Sequence, residues 1–154
     1  MLRLPKGSYP PVKARVNLKV VRDPVGGKGP LTGIFTGLMN SKYCCNLVIA
    51  CDMPLLNRGL VKYIASIAEE YDTVVPRVGP HLEPLQAVYS KDCILEIEKL
   101  LAQDRLKADG LFGRVRTRFV ESAEIERFDP AHLSFMNINT PADLKKAEGL
   151  LGRS

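Results

Sequence analysis

The sequence predicts an α/β layered domain with a largely parallel sheet, and three observations carry that expectation. Apolar runs of strand length alternate with stretches of helical periodicity through most of the 154 residues. The strongest run, CNLVIACD (residues 45–52), does not alternate polar with apolar, which suits a strand covered on both faces. A helix-start signature, Thr140 with Asp143 three residues on and Pro141 between, opens the last periodic segment.

The elements follow in order. Residues 1–15 contain Pro5, Pro10 and Pro11 and no clear period, so they read as an irregular lead-in. NLKVVR (Asn17 to Arg22) reads as a short strand ending at Asp23-Pro24, and VGGKGP follows as a loop. Leu31, Ile34, Phe35 and Leu38 recur at helical spacing behind Pro30, a residue favoured at the first helical position. After CNLVIACD, a helix is expected with Leu60, Ile64, Ile67 and Ala68 on one face. DTVVPRV and PLQAVYS are short strands, and KDCILEIEKLLAQD is an amphipathic helix with Ile94, Ile97, Leu100 and Leu101 inward. VRTRFVES is a further strand candidate ahead of the final helix. No internal repeat, low-complexity tract or linker interrupts this pattern, so one domain is expected.

Composition narrows the class. With 45% hydrophobic and 25% charged residues the chain resembles ordinary globular proteins. No apolar run approaches the roughly 18 residues that span a bilayer, and the basic N-terminus has no apolar secretory core. The expectation is a cytoplasmic protein without a membrane partner. Cys44, Cys45, Cys51 and Cys93 form no CxxC pair and have no histidine near them in sequence, so they read as reduced structural residues. The net charge of +5 is spread out, apart from Arg114, Arg116 and Arg118. These arginines form either one solvated strand face or an attraction for an anionic ligand. No zinc-finger spacing or RNP-like aromatic motif supports nucleic-acid binding.

Candidate chemistry gathers where strands end, because ligands of open α/β sheets bind beyond the carboxyl ends of the strands. Asp23 and Asp52 both follow apolar runs there. Each is either a turn aspartate or a carboxylate able to hold Mg²⁺, which takes one or two carboxylates and fills its shell with phosphate and water. Gly29 and Gly33 either pack a helix closely or let backbone N–H groups approach an anion. The asparagines of MNINTPADL, Asn137 and Asn139, either satisfy turn backbone or line the crevice. His81 and His132 are isolated, and no Ser-His-Asp or Cys-His arrangement can be inferred.

Three stretches, GPLTGIFTGL (29–38), IACDMPLL (49–56) and NINTPADL (137–144), resemble the molybdenum cofactor guanylyltransferases in order and spacing, with VVRDP and EPLQAVYS in keeping. The similar region runs from about residue 16 to 151. The resemblance implies a three-layer nucleotide-binding Rossmann-like domain with a mainly parallel sheet, and transfer of GMP from GTP to molybdenum-carrying molybdopterin with release of pyrophosphate. It implies Asp52 as the Mg²⁺ ligand, and Asp23 and Gly29 on the nucleotide side. Asn137 and Asn139 would lie in the crevice, with Pro84 and Leu85 on the pterin side. Molybdoenzymes or their chaperones are the implied recipients of the product.

The family's LAGGxSxRMGxxK loop has no match in the 154 residues, so the chain is expected to lack the first βαβ portion and to form a partial nucleotidyltransferase domain. A truncated chain is the favoured expectation, ahead of a split subunit or a degenerate paralogue, and little activity is expected of it alone. Related cytidylyltransferases or sugar-phosphate nucleotidyltransferases, and a non-catalytic cofactor-binding module, are the alternatives.

Overall fold

A computed structural model describes Val21 and residues 29–151. The expected strand over residues 17–22 lies, apart from Val21, outside the described residues, and Asp23 lies outside them entirely.

Helix α1 (Pro30–Asn40) begins at Pro30 and turns Leu31, Ile34 and Leu38 inward, as their spacing requires. Strand β1 (Cys45–Ile49) follows, then α2 (Arg58–Ser66), which buries Leu60 and Ile64. Next come β2 (Thr73–Val78), the two-residue β3 (His81–Leu82) and β4 (Gln86–Ser90). Helix α3 (Ile94–Ala102) buries Ile97 and Leu100, while Ile94 and Leu101 are half-buried against the same core. The short α4 (Asp109–Phe112), β5 (Thr117–Glu121), the one-turn α5 (Ser122–Ile125) and α6 (Pro141–Leu151) complete the order.

The described strands form one sheet in the order β1-β4-β2, with β5 on one edge of β2 and β3 sharing the opposite edge with β4. The α/β class is as expected, and the sheet is mixed. β1, β2 and β5 run in one direction, but β4 runs against both β1 and β2. The reason is local: the β2–β3 hairpin reverses the chain through Gly79 at φ +56°, so the strand that follows re-enters the sheet antiparallel. Pro76, which has no N–H to give, falls between the residues of β2 that pair with β4 and those that pair with β3.

Alternation along the central strands divides the core. Val75, Ala87 and Tyr89 face α1, α3 and α4, whereas Val74, Val88 and Val120 face α2 and α5. This is the expected three-layer arrangement. The two-sided burial expected of CNLVIACD belongs instead to β4, buried at every residue, and to β2, buried at its first four. In β1 the side chains alternate between exposed and half-buried, with Leu47 40% and Ile49 36% accessible. Among the described residues β1 pairs only with β4, so an apolar composition has not produced burial there.

Candidate functional site

Strand β1 stops at Ile49, three residues before Asp52, and the backbone extends the ladder by one bond as Ala50 N donates to Leu85 O at 2.9 Å. Asp52 therefore stands in the turn just beyond the strand, half-buried, at the carboxyl end that β1, β2 and β5 share. Its carbonyl accepts a hydrogen bond from Ile138 N at 2.8 Å, which brings the Asn137–Asn139 segment against the turn. Two stretches 86 positions apart meet at this bond.

The turn is pinned again at its far end. Asn57 caps α2, with Oδ1 accepting from Gly59 N at 2.9 Å and Leu60 N at 3.0 Å. Its Nδ2 donates to Phe128 O at 2.7 Å, and its backbone N–H donates to Ser134 Oγ at 2.9 Å. The buried Asp129 in turn accepts from the N–H groups of Leu133 and Ser134. Asn57 was not foreseen as a site element, although an asparagine ahead of a periodic apolar segment is a capping signal that could have identified it. Between them, Ile138 and Asn57 hold the Asp52 turn by both ends.

The asparagines that flank Ile138 are exposed, and their side chains make no hydrogen bond among the described residues. The turn is satisfied by other groups. Asp143 Oδ2 accepts from Thr140 N at 2.9 Å and Asn139 N at 3.2 Å, while Thr140 Oγ1 accepts from Asp143 N at 3.2 Å. This is the reciprocal helix start that the sequence signature implied. The hydrogen bonds from Thr140 hold the Asp143 carboxyl below its usual range. The side-chain amides of Asn137 and Asn139 thus take no part in holding this turn.

Pro84 and Leu85 abut the strand exit. The Pro84 carbonyl accepts from the Tyr89 hydroxyl at 2.8 Å, and Leu85 supplies the acceptor for Ala50. Gly29 sits at the start of α1 against Leu106, where an added Cβ would meet Leu106 Cβ and O at 2.9 Å. Close packing is therefore one role of this glycine. The adjoining loop forms a cleft of about 340 Å³ that Arg105 and Lys107 help to line, two cations the sequence reading did not single out.

The arginine cluster lies elsewhere. Arg114, Arg116 and Arg118 are each paired with a carboxylate, from Glu96, Asp72 and Glu124 respectively, and only Arg118 lies within β5, so they do not form one solvated strand face. Cys44, Cys45 and Cys51 are free and exposed, while Cys93 is buried and its thiol is pushed up to about 12 by that burial.

No group of three or more metal-ligating side chains occurs among the described residues. Mg²⁺ does not need one, since it takes one or two carboxylates together with substrate phosphates. Asp52 fits that demand: its carboxylate is half-buried and has no ion pair or hydrogen bond among the described residues.

Comparison with known proteins gives this arrangement a family. The family model described as the MobA-like NTP transferase domain matches residues 6–116. A protein of Pelotomaculum thermopropionicum named "Probable molybdenum cofactor guanylyltransferase" is 41% identical over 86% of this chain and 65% of its own length. The "Molybdenum cofactor guanylyltransferase" of Desulfosudis oleivorans is 37% identical over 80% of this chain and 62% of its own. The chain thus spans less than two thirds of these curated relatives. Among solved structures, "Molybdopterin-guanine dinucleotide biosynthesis protein A" from Archaeoglobus fulgidus superposes with a TM-score of 0.74 at 28% identity, over 86% of this chain and 67% of that one. With the family model matching well over half of its residues, the chain belongs to the family of the MobA-like NTP transferase domain.

Proposed function

We propose that the chain is a partial nucleotidyltransferase domain of a molybdenum cofactor guanylyltransferase, contributing to GMP transfer from GTP to molybdopterin. The observation that carries this reading is the hydrogen bond from Ile138 N to Asp52 O, which joins two of the three stretches that carry the resemblance, IACDMPLL and NINTPADL. The names of the relatives support the choice of substrates.

In this reaction a phosphate oxygen of the acceptor forms a bond to the α-phosphorus of GTP. The bond from that phosphorus to the bridging oxygen breaks, and pyrophosphate leaves. Acceptor and donor are both anionic, so the site must offset charge while holding the groups in line. Mg²⁺, when bound, supplies that neutralisation, and Asp52 is the residue that would hold it.

The chain's own residues do the remainder. Ile138 and Asn57 fix the Asp52 turn, Asn137 and Asn139 present amide donors to phosphate oxygens, and Pro84 with Leu85 walls the acceptor side. Asp23 and Gly29 serve the nucleotide. No protein nucleophile is required, and the setting is cytoplasmic, with molybdoenzymes or their chaperones taking the product.

The test is Mg²⁺-dependent GTP binding by this chain, with CTP as competitor. Asp52→Asn is expected to weaken it at least tenfold, in keeping with loss of a charged ligand. Equal Mg²⁺ dependence in the variant would overturn the assignment of Asp52, and preference for CTP would favour a cytidylyltransferase.

A further inference from the structure

Glu83 is a carboxylate whose burial no described residue compensates by a hydrogen bond or ion pair. It is half-buried on the segment between β3 and β4, and its side chain has no hydrogen bond or ion pair among the described residues. Apart from Asp52, other partly buried carboxylates differ. Glu121 pairs with Arg77, Glu124 with Arg118 and Tyr63, Asp72 with Arg116, and Asp129 with two backbone N–H groups. Burial pushes the Glu83 carboxyl above its usual range, with His81 opposing that only in part.

The backbone around Glu83 is held in place. Glu83 N donates to Pro76 O at 3.0 Å, Gln86 N donates to Glu83 O at 3.2 Å, and the next two carbonyls, of Pro84 and Leu85, are taken by Tyr89 and Ala50. Gln86, three residues on, adds an independent observation. Its side chain is fully buried, and neither amide atom has a hydrogen-bond partner. Buried polar groups without partners are costly, and here two lie within four residues at the sheet end that carries Asp52. A partner from outside the chain with N–H donors would satisfy the Glu83 carboxylate.

We propose that Glu83 recognises the 2-amino-4-oxopyrimidine edge of a bound ring, accepting hydrogen bonds from its ring N–H and its exocyclic amino group. That edge presents two parallel donors, the fork that a carboxylate accepts in bidentate fashion. Guanine and pterin both carry it. The inference rests on the transferase reading for its choice of ligands, but it concerns ring recognition rather than the metal.

Binding titrations on the chain separate the possibilities. Pterin-6-carboxylate is compared with lumazine-6-carboxylate, which has an oxo group in place of the 2-amino group, and GTP is compared with ITP, which lacks that amino group. The unmodified chain is expected to favour the 2-amino member of at least one pair by about tenfold or more, and Glu83→Gln to abolish that preference. Loss in the pterin pair identifies the acceptor as the source of the ring, and loss in the GTP pair identifies the nucleotide. Glu83→Asp, which keeps the charge but shortens the reach, should fall between the two. Unchanged discrimination in a Glu83→Gln chain of normal thermal midpoint overturns the proposal, as does absence of any preference in the unmodified chain. Because the pterin probe carries no triphosphate, a failed Asp52→Asn result would count against the transferase reading without touching this one.

Discussion

Strands β1 and β4 lie side by side with five residues paired, yet they occupy opposite environments. Every residue of β4 is buried, whereas β1 exposes alternate side chains, Leu47 and Ile49 among them. The buried strand, QAVYS, is the more polar of the two and the exposed one, CNLVI, the more apolar, so composition does not account for the difference. β4 has β1 and β2 on its two edges and helices over both faces, while β1 has one paired edge among the described residues. Burial is therefore a property of position in the sheet, and a strand's apolar content only permits it.

That contrast can be broken most forcibly at Tyr89. Its ring is fully buried on β4, stacks 6.5 Å from Phe112 and gives its hydroxyl to Pro84. Tyr89→Ala should cost about 3–5 kcal/mol in urea unfolding, the usual range for emptying an aromatic core position. A value below ~1 kcal/mol would mean that β4 is not the centre of the core.

A smaller effect is expected at the carboxylate that ties β2 to the stretch before β5. The Arg116 side chain, reinforced by its backbone N–H, holds the Asp72 carboxyl below its ordinary range, with Arg116 Nη2 at 2.9 Å from Oδ1. A depressed folded-state value stabilises the protein above the unfolded value, near about 4, and this contribution is lost as pH falls through the folded value. The difference in urea midpoint between the unmodified chain and Asp72→Asn should therefore be full at neutral pH and close on acidification. A gap that is constant with pH would remove the ion pair from the account. The smallest effect should come from Leu47→Ala on β1, below about 1 kcal/mol because so much of that side chain is already in water. A loss of the size expected for Tyr89→Ala would show that β1 is covered in solution.

Much of the site was legible because its parts are short. Asp52 at the end of an apolar run, and the reciprocal pairing of Thr140 with Asp143, are signals spanning a few residues. The meeting of those two segments was expected only through resemblance, since no local pattern encodes the bond between Ile138 and Asp52. Asn57 was missed although its capping signal was present, and the partners of the three arginines were invisible because they come from other elements.

By itself the sequence determined which faces of α1, α2 and α3 turn inward, where α1 and α6 start and that helices and strands alternate. Those features follow from 3.6-residue periodicity and from capping groups within a turn of their targets. Only the tertiary structure decided that, among the described residues, β4 and β2 rather than β1 occupy the centre, that the sheet is mixed, and that Glu83 is half-buried without a partner. Those outcomes depend on which distant segments arrive alongside. A hairpin at Gly79 reversed β4, and the arrival of β1, β2 and the helices around it set what each side chain meets.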